Sequence, residues 1–268
     1  MNLIIFFISI VVTLLSTPYV YNMLLDNDCT ALNYREEKIP IGMGLVFILV
    51  QCFIISITSI YIKIDRTMIL FYIITVMLMG LVGMLDDLIG EKNVKGFKGH
   101  IKSLFRGKLT TGGLKAIIGF LSATLFSISI SKNYLDMIVN IFLIALFTNL
   151  INLFDLRPGR AGKVFAVISI TLLITSYIKS YDFIIYSALG IIIVYMRYDL
   201  KARAMMGDVG SNALGITLGA FCALTHSLNI KIVYLVILLI LHIISEFYSF
   251  SKIINKSKIL SFLDNLGR

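Results

Sequence analysis

The sequence predicts an all-α, polytopic transmembrane helical bundle of about nine spans, with the N-terminus outside and the C-terminus inside. Three observations predict it. Of 268 residues, 58% are hydrophobic and the mean hydropathy is +0.93, whereas soluble domains average about 45–50% apolar residues. Apolar runs long enough to cross about 30 Å of hydrocarbon, about 20 residues each, recur along the whole chain. The basic residues gather in alternate connections. Irregular backbone cannot face lipid, so each run is expected to be a helix.

The runs lie at about 3–21, 41–62, 67–85, 113–131, 134–153, 162–178, 183–197, 211–226 and 230–248. The first lacks a basic leader and a small-x-small cleavage site, and is read as a retained span. Of 24 Lys and Arg, 19 fall in connections after odd-numbered spans, in the tail or at Lys115; Lys63, Arg66, Lys132, Lys179 and Lys231 fall on the other side. The basic side is the cytoplasmic one. The net charge of +9 is thereby explained without nucleic acid. The whole of 1–268 reads as one membrane domain. Residues 250–268 interleave Ile253, Ile254, Leu260 and Leu263 with Lys252, Lys256 and Lys258, which suits an amphipathic cytoplasmic helix or a short solvated tail. Cys29, Cys52 and Cys222 have neither disulfide nor zinc-site spacing.

The carboxylates carry the chemistry. Asp86, Asp87, Asp155 and Asp208 all sit beside apolar helix ends on the cytoplasmic side. Asp86 and Asp87 repel each other at a helix C-terminus, where the macrodipole also disfavours negative charge, so the pair calls for a cation. Asn149, Asn152 and Asp155 recur at spacing three, which places them on roughly one helix face. The turn that follows presents Arg157 and Arg160, whose planar forks suit phosphate. Asp208 lies between Gly207 and Val209-Gly210 at the start of the eighth span, where free N–H groups and Ser211 suit an anion. Hard oxygen donors beside a phosphate substrate are the surroundings Mg²⁺ prefers, and phosphoryl transfer is mostly positioning and electrostatics.

Four segments resemble those of the polyprenyl-phosphate N-acetylhexosamine-1-phosphate transferases, glycosyltransferase family 4, which include the phospho-N-acetylmuramoyl-pentapeptide transferases. They are Lys38-Ile-Pro40-Ile-Gly42-Met-Gly44, Gly83-Met-Leu-Asp86-Asp87, Asn149 to Asp155, and Met206 to Gly215. The last is the most specific. The resemblance runs from about residue 33 to 216. It implies transfer of a phospho-sugar from a UDP-sugar to undecaprenyl phosphate at the cytoplasmic face of the bacterial cell membrane, with Mg²⁺ as cofactor, in cell-envelope glycan synthesis. Its implied partners are the polyprenyl phosphate, the nucleotide-sugar and membrane lipids, and it allows a homodimer. It implies that Asp86 or Asp87 deprotonates or positions the lipid phosphate. Asp155 and Asp208 would hold the metal, and Lys38, Asn149, Asn152, Arg157, Arg160, Gly207 and Ser211 would contact substrate. The chain departs from the family where Pro158 replaces a second aspartate, and no histidine follows His242. These departures motivate an alternative: a non-catalytic relative that binds lipid phosphate or a partner enzyme and regulates envelope assembly. His242 and Glu246, four apart, read as a satisfied polar pair.

Overall fold

The computed structural model describes residues 1–90 and 96–268. Lys92 and Lys95 of the basic loop, and the side chains of Lys98 and His100, lie outside the described residues. Twelve α-helices are described: α1 (Asn2–Asp26), α2 (Leu45–Tyr61), α3 (Arg66–Ile89), α4 (Gly96–Phe105), α5 (Thr111–Ile130), α6 (Tyr134–Phe154), α7 (Arg160–Thr175), α8 (Asp182–Asp199), α9 (Gly207–Thr225), α10 (Leu228–Phe247), α11 (Phe250–Lys256) and α12 (Lys258–Asn265). A short hairpin, β1 (Thr30–Leu32) and β2 (Lys38–Pro40), pairs antiparallel with Thr30 opposite Pro40.

The architecture is the all-α helical bundle the hydropathy predicts. Nine of the helices (α1 to α3 and α5 to α10) fall on the nine apolar runs. Six segments are long and apolar enough to cross a membrane: α1, α3, α5, α6, α10 and Lys179–Asp199, which contains α8. Helices α2, α7 and α9 are shorter or less apolar. The outer face of α1 exposes Leu3, Phe7, Val11 and Leu15, an apolar stripe that suits lipid contact. On α10 only Lys231 and Leu238 are buried.

The central helix is among the least hydrophobic of the nine. Every residue of α9 from Val209 to Thr225 is buried, and α6 and α3 pack directly against it. Gly215 and Gly219 make this possible. A Cβ at Gly219 would lie 2.6 Å from the Ile144 Cα, and one at Gly215 would collide with the Thr148 backbone. Small residues four apart let two helix backbones approach in a setting where lipid gives no hydrophobic drive to association. Several polar side chains inside the bundle satisfy one another. Gln51 donates to the Tyr72 hydroxyl at 2.8 Å, which lies 2.9 Å from the Thr217 hydroxyl. At the end of the bundle away from the aspartates, the buried Lys231 ammonium meets Asp136 at 2.8 Å. His226 is buried between the Thr175 and Thr225 hydroxyls, 2.9 Å from each.

Three elements go beyond what periodicity predicts. The hairpin was not expected, because three-residue strands carry no legible alternation. Helix α4 lies in the basic loop. The tail folds as two helices, α11 and α12, and docks instead of standing free. The hairpin also has a positioning role. Met205 N–H donates to Pro40 O, Met43 N–H to Met205 O and Gly44 N–H to Met206 O, so the segment after β2 fixes the turn that starts α9.

Candidate active site

Five helix ends converge: the C-termini of α3, α6 and α8 and the N-termini of α5 and α9. The three C-termini each bring a carboxylate to the negative pole of a helix dipole. Asp86 and Asp87 lie in the last turn of α3, Asp155 caps α6, and Asp199 ends α8. Asp208 lies in the first turn of α9. The four aspartates singled out from the sequence are thus brought together, and Asp199 joins them.

Each has a distinct setting. The Asp87 carboxylate accepts from the Asp208 N–H at 2.9 Å and from the Val209 N–H at 3.3 Å, and so caps α9 from a neighbouring helix. The anion that the start of α9 was expected to bind is therefore, in this structure, the protein's own carboxylate. Gly207 is required here. Its φ is +70°, and a Cβ on it would collide with Asp87 Oδ2. Asp208 accepts from Lys115 Nζ at 2.6 Å, and its carboxyl also hydrogen-bonds Asp86. With its amide nitrogen facing Asp208, Asn152 donates to Asp208 Oδ1 at 2.9 Å and to Ser211 Oγ at 3.2 Å, and its oxygen accepts from Lys115 Nζ at 3.1 Å. Asp199 accepts from the Gly159 N–H at 2.9 Å.

Asp155 is different. Its carboxylate makes no side-chain hydrogen bond or ion pair among the described residues. Burial, and then the Asp199, Asp208 and Asp87 carboxylates, push it well above the usual carboxylate range, with Lys115 opposing. The cluster holds more negative charge than Lys115 offsets. Among the described residues no three His, Cys, Asp or Glu side chains form a ready-made metal cage. The donor set nonetheless suits Mg²⁺, which takes one or two protein carboxylates and completes its shell with water and substrate phosphate.

The other predicted contacts separate. Asn152, Ser211 and Gly207 act on Asp208 or Asp87. Asn149 and Arg157 are exposed. Lys38 pairs with Asp28 at 2.9 Å on the surface. Arg160, expected to face phosphate, is 2% exposed and grips the tail. Its Nε and Nη2 donate to the two Asp264 oxygens at 2.8 Å each, and Nη1 donates to Ser251 Oγ at 2.8 Å. Arg268 also meets Asp264, at 3.1 Å, and donates to Pro158 O at 2.7 Å. Phe154 stacks on Phe250 with centroids 4.7 Å apart. The tail is therefore clamped onto the loop that follows Asp155. His242 and Glu246 do not pair among the described residues; His242 Nδ1 lies 2.8 Å from Leu238 O.

Sequence reasoning missed Asp199, Lys115 and the Arg160–Asp264 clamp. Asp199 satisfied the same criterion as the others, a carboxylate ending an apolar run on the basic side. Lys115 was counted only as a topology marker. Nothing local in the sequence couples Arg160 to Asp264, which is 104 residues away.

Residues 69–227 match the family model of glycosyl transferase family 4. Three relatives carry the name phospho-N-acetylmuramoyl-pentapeptide-transferase. The one from Prochlorococcus marinus subsp. pastoris is 28% identical over 249 residues, covering 83% of this chain and 68% of the relative. That from Fervidobacterium nodosum is 26% identical, covering 73% and 61%. That from Thermotoga neapolitana is 30% identical, covering 63% and 58%. The chain thus spans about three-fifths to two-thirds of the length of these relatives. Its spans and its bacterial relatives make it a multi-pass protein of the bacterial cell membrane. The family match covers more than half of the chain and all five clustered aspartates, and the chain belongs to glycosyl transferase family 4.

Proposed function

We propose that the chain transfers a phospho-sugar from a UDP-sugar to a polyprenyl phosphate at the cytoplasmic membrane face, releasing UMP, with Mg²⁺ as cofactor. In this reaction a lipid-phosphate oxygen attacks the sugar-bearing phosphorus, and the bond from that phosphorus to the UMP oxygen breaks. The observation that carries the reading is the unpaired Asp155 carboxylate amid Asp87, Asp199 and Asp208, within the region matched to the family. The names of the relatives give the reaction class.

Asp155, with Asp208 beside it, would hold the cation, and Lys115 balances the charge of Asp208 when the cation is absent. Mg²⁺, when bound, neutralises diphosphate charge and steadies the charge that develops on the departing UMP. Asp87 positions Asp208 by fixing the first turn of α9, and Asp86, hydrogen-bonded to Asp208, orients the lipid phosphate or takes its proton. Asn152 and Ser211 keep the Asp208 carboxylate aimed. Arg157, Asn149 and Lys38, all exposed, are left to meet substrate, whereas Arg160 serves through the loop that it clamps. The orientation, N-terminus outside, follows from the Lys and Arg asymmetry and puts all five helix ends on the cytoplasmic side.

The test is UMP release by the purified chain with Mg²⁺, undecaprenyl phosphate and a panel of UDP-sugars. Release that disappears in Asp155→Asn supports the reading. No release from a folded protein with any donor would favour the non-catalytic alternative.

A further inference from the structure

A second polar feature lies on the opposite face of α8. Tyr195 and Asp199 turn into the bundle, whereas Arg197, in the last turn of α8, and Lys201, just past its end, face a cleft against α1. With Arg203 they rim a cavity of about 270 Å³ whose inner wall is Leu14, Thr17 and Val194. Tyr198 also lines it, its ring 5.7 Å from that of Tyr21. All three cations are exposed, and none forms a side-chain hydrogen bond or ion pair among the described residues. Three unpaired cations around one cleft repel one another, and an anion between them relieves that cost.

The walls indicate which kind of anion. Leu14 and Val194 belong to two packed, membrane-spanning helices, and the cleft opens onto the exposed apolar stripe Leu3, Phe7, Val11 and Leu14 of α1. From Tyr21, the cytoplasmic end of the span, back to Val11 the helix rises about 15 Å, close to half of the roughly 30 Å hydrocarbon core. A charged head at the rim would therefore send an acyl chain along α1 through one leaflet. The volume falls just below the roughly 300 Å³ at which small-ligand sites begin, which suits a phosphate headgroup and is small for a nucleotide-sugar. Basic pockets between helices on the cytoplasmic side are a known setting for anionic lipid heads.

We infer that the cleft between α1 and α8 is a binding site for the phosphate headgroup of an anionic glycerophospholipid of the inner leaflet, separate from the aspartate cluster. The inference rests on the orientation proposed above but not on the transferase reading.

The test reads lipid retention by native mass spectrometry, using the full chain released from phosphatidylcholine bilayers containing a minor fraction of phosphatidylglycerol. The wild type is expected to retain phosphatidylglycerol preferentially. R197Q/K201Q/R203Q should lower that retention roughly 100-fold, about fivefold per cation near an anionic headgroup. Leu14→Trp, which fills the cleft and leaves every charge in place, should lower it as well and does not depend on the triple variant folding. K252Q/K256Q/K258Q, the same charge change on the tail, should retain lipid as the wild type does. Equal loss in the tail variant, or no loss in Leu14→Trp, would overturn the site. Displacement of the lipid by millimolar inorganic phosphate alone would reassign the cleft to free phosphate and overturn the lipid assignment.

Discussion

Asp264→Ala should unfold the chain at a markedly lower temperature, although residue 264 lies in a tail that sequence reading leaves almost unconstrained. The Arg160 guanidinium is 2% exposed and makes two charge-assisted bonds of 2.8 Å to Asp264. Removing the carboxylate leaves a buried cation with Ser251 Oγ and little else. Breaking a buried pair from one side costs about 3–5 kcal/mol, because the remaining charge stays desolvated. For a chain of this size each kcal/mol shifts the melting temperature by about 2–4 °C, so a fall of roughly 6–20 °C is expected. The assay is thermal unfolding of the purified protein in mild detergent. The double variant R160M/D264L removes both charges and keeps apolar volume, and should recover most of the loss, since a buried ion pair is often no better than a packed apolar pair. A melting temperature for Asp264→Ala within about 1 °C of wild type, a shift worth only a few tenths of a kcal/mol, would refute the clamp. So would a double variant less stable than Asp264→Ala.

Three further outcomes follow from the same geometry. Arg160 holds the Asp264 carboxyl below its ordinary value of 3.8; a depressed carboxylate contributes stability above that value and loses it as pH falls through the depressed one. The melting-temperature advantage of wild type over Asp264→Ala should therefore hold from neutral pH to about 4 and shrink below it, as read in an acid titration of both proteins. Gly207→Ala forces a Cβ onto a φ of +70° and into Asp87, and should cost about 2 kcal/mol or more; melting equal to wild type would show that the turn is not as described. Asp155→Asn removes repulsion within the cluster and the proposed ligand for the cation. It should melt higher than wild type in chelator and show no Mg²⁺-dependent rise, whereas wild type should rise if its native state binds the ion as proposed.

The legible parts of the molecule are those written in local chemistry. Apolar runs of about 20 residues mark the nine helices because nothing else satisfies backbone polar groups in lipid. Asp86, Asp87, Asp155 and Asp208 were legible because a carboxylate beside an apolar helix end is costly without a reason. What was not legible was the direction in which each side chain points once helices pack. Spacing put Asn149, Asn152 and Asp155 on one face, yet Asn149 is exposed while Asn152 reaches Asp208. Arg157 and Arg160 looked equivalent in one turn; the first is exposed and the second is buried against a tail 104 residues away. The centrality of α9 was hidden for a similar reason. Its Gly and Ala content lowers its hydropathy, and those residues are what allow it to lie at the centre.

The central claim is that the aspartate cluster is a transferase site built around Asp155. It is tested most directly by UMP release from the purified chain with Mg²⁺, undecaprenyl phosphate and UDP-sugars, measured beside Asp155→Asn and Asp264→Ala. Release is expected from wild type, none above background from Asp155→Asn in a protein that still melts cooperatively, and, below its melting temperature, release from Asp264→Ala. Equal release by wild type and Asp155→Asn would contradict it.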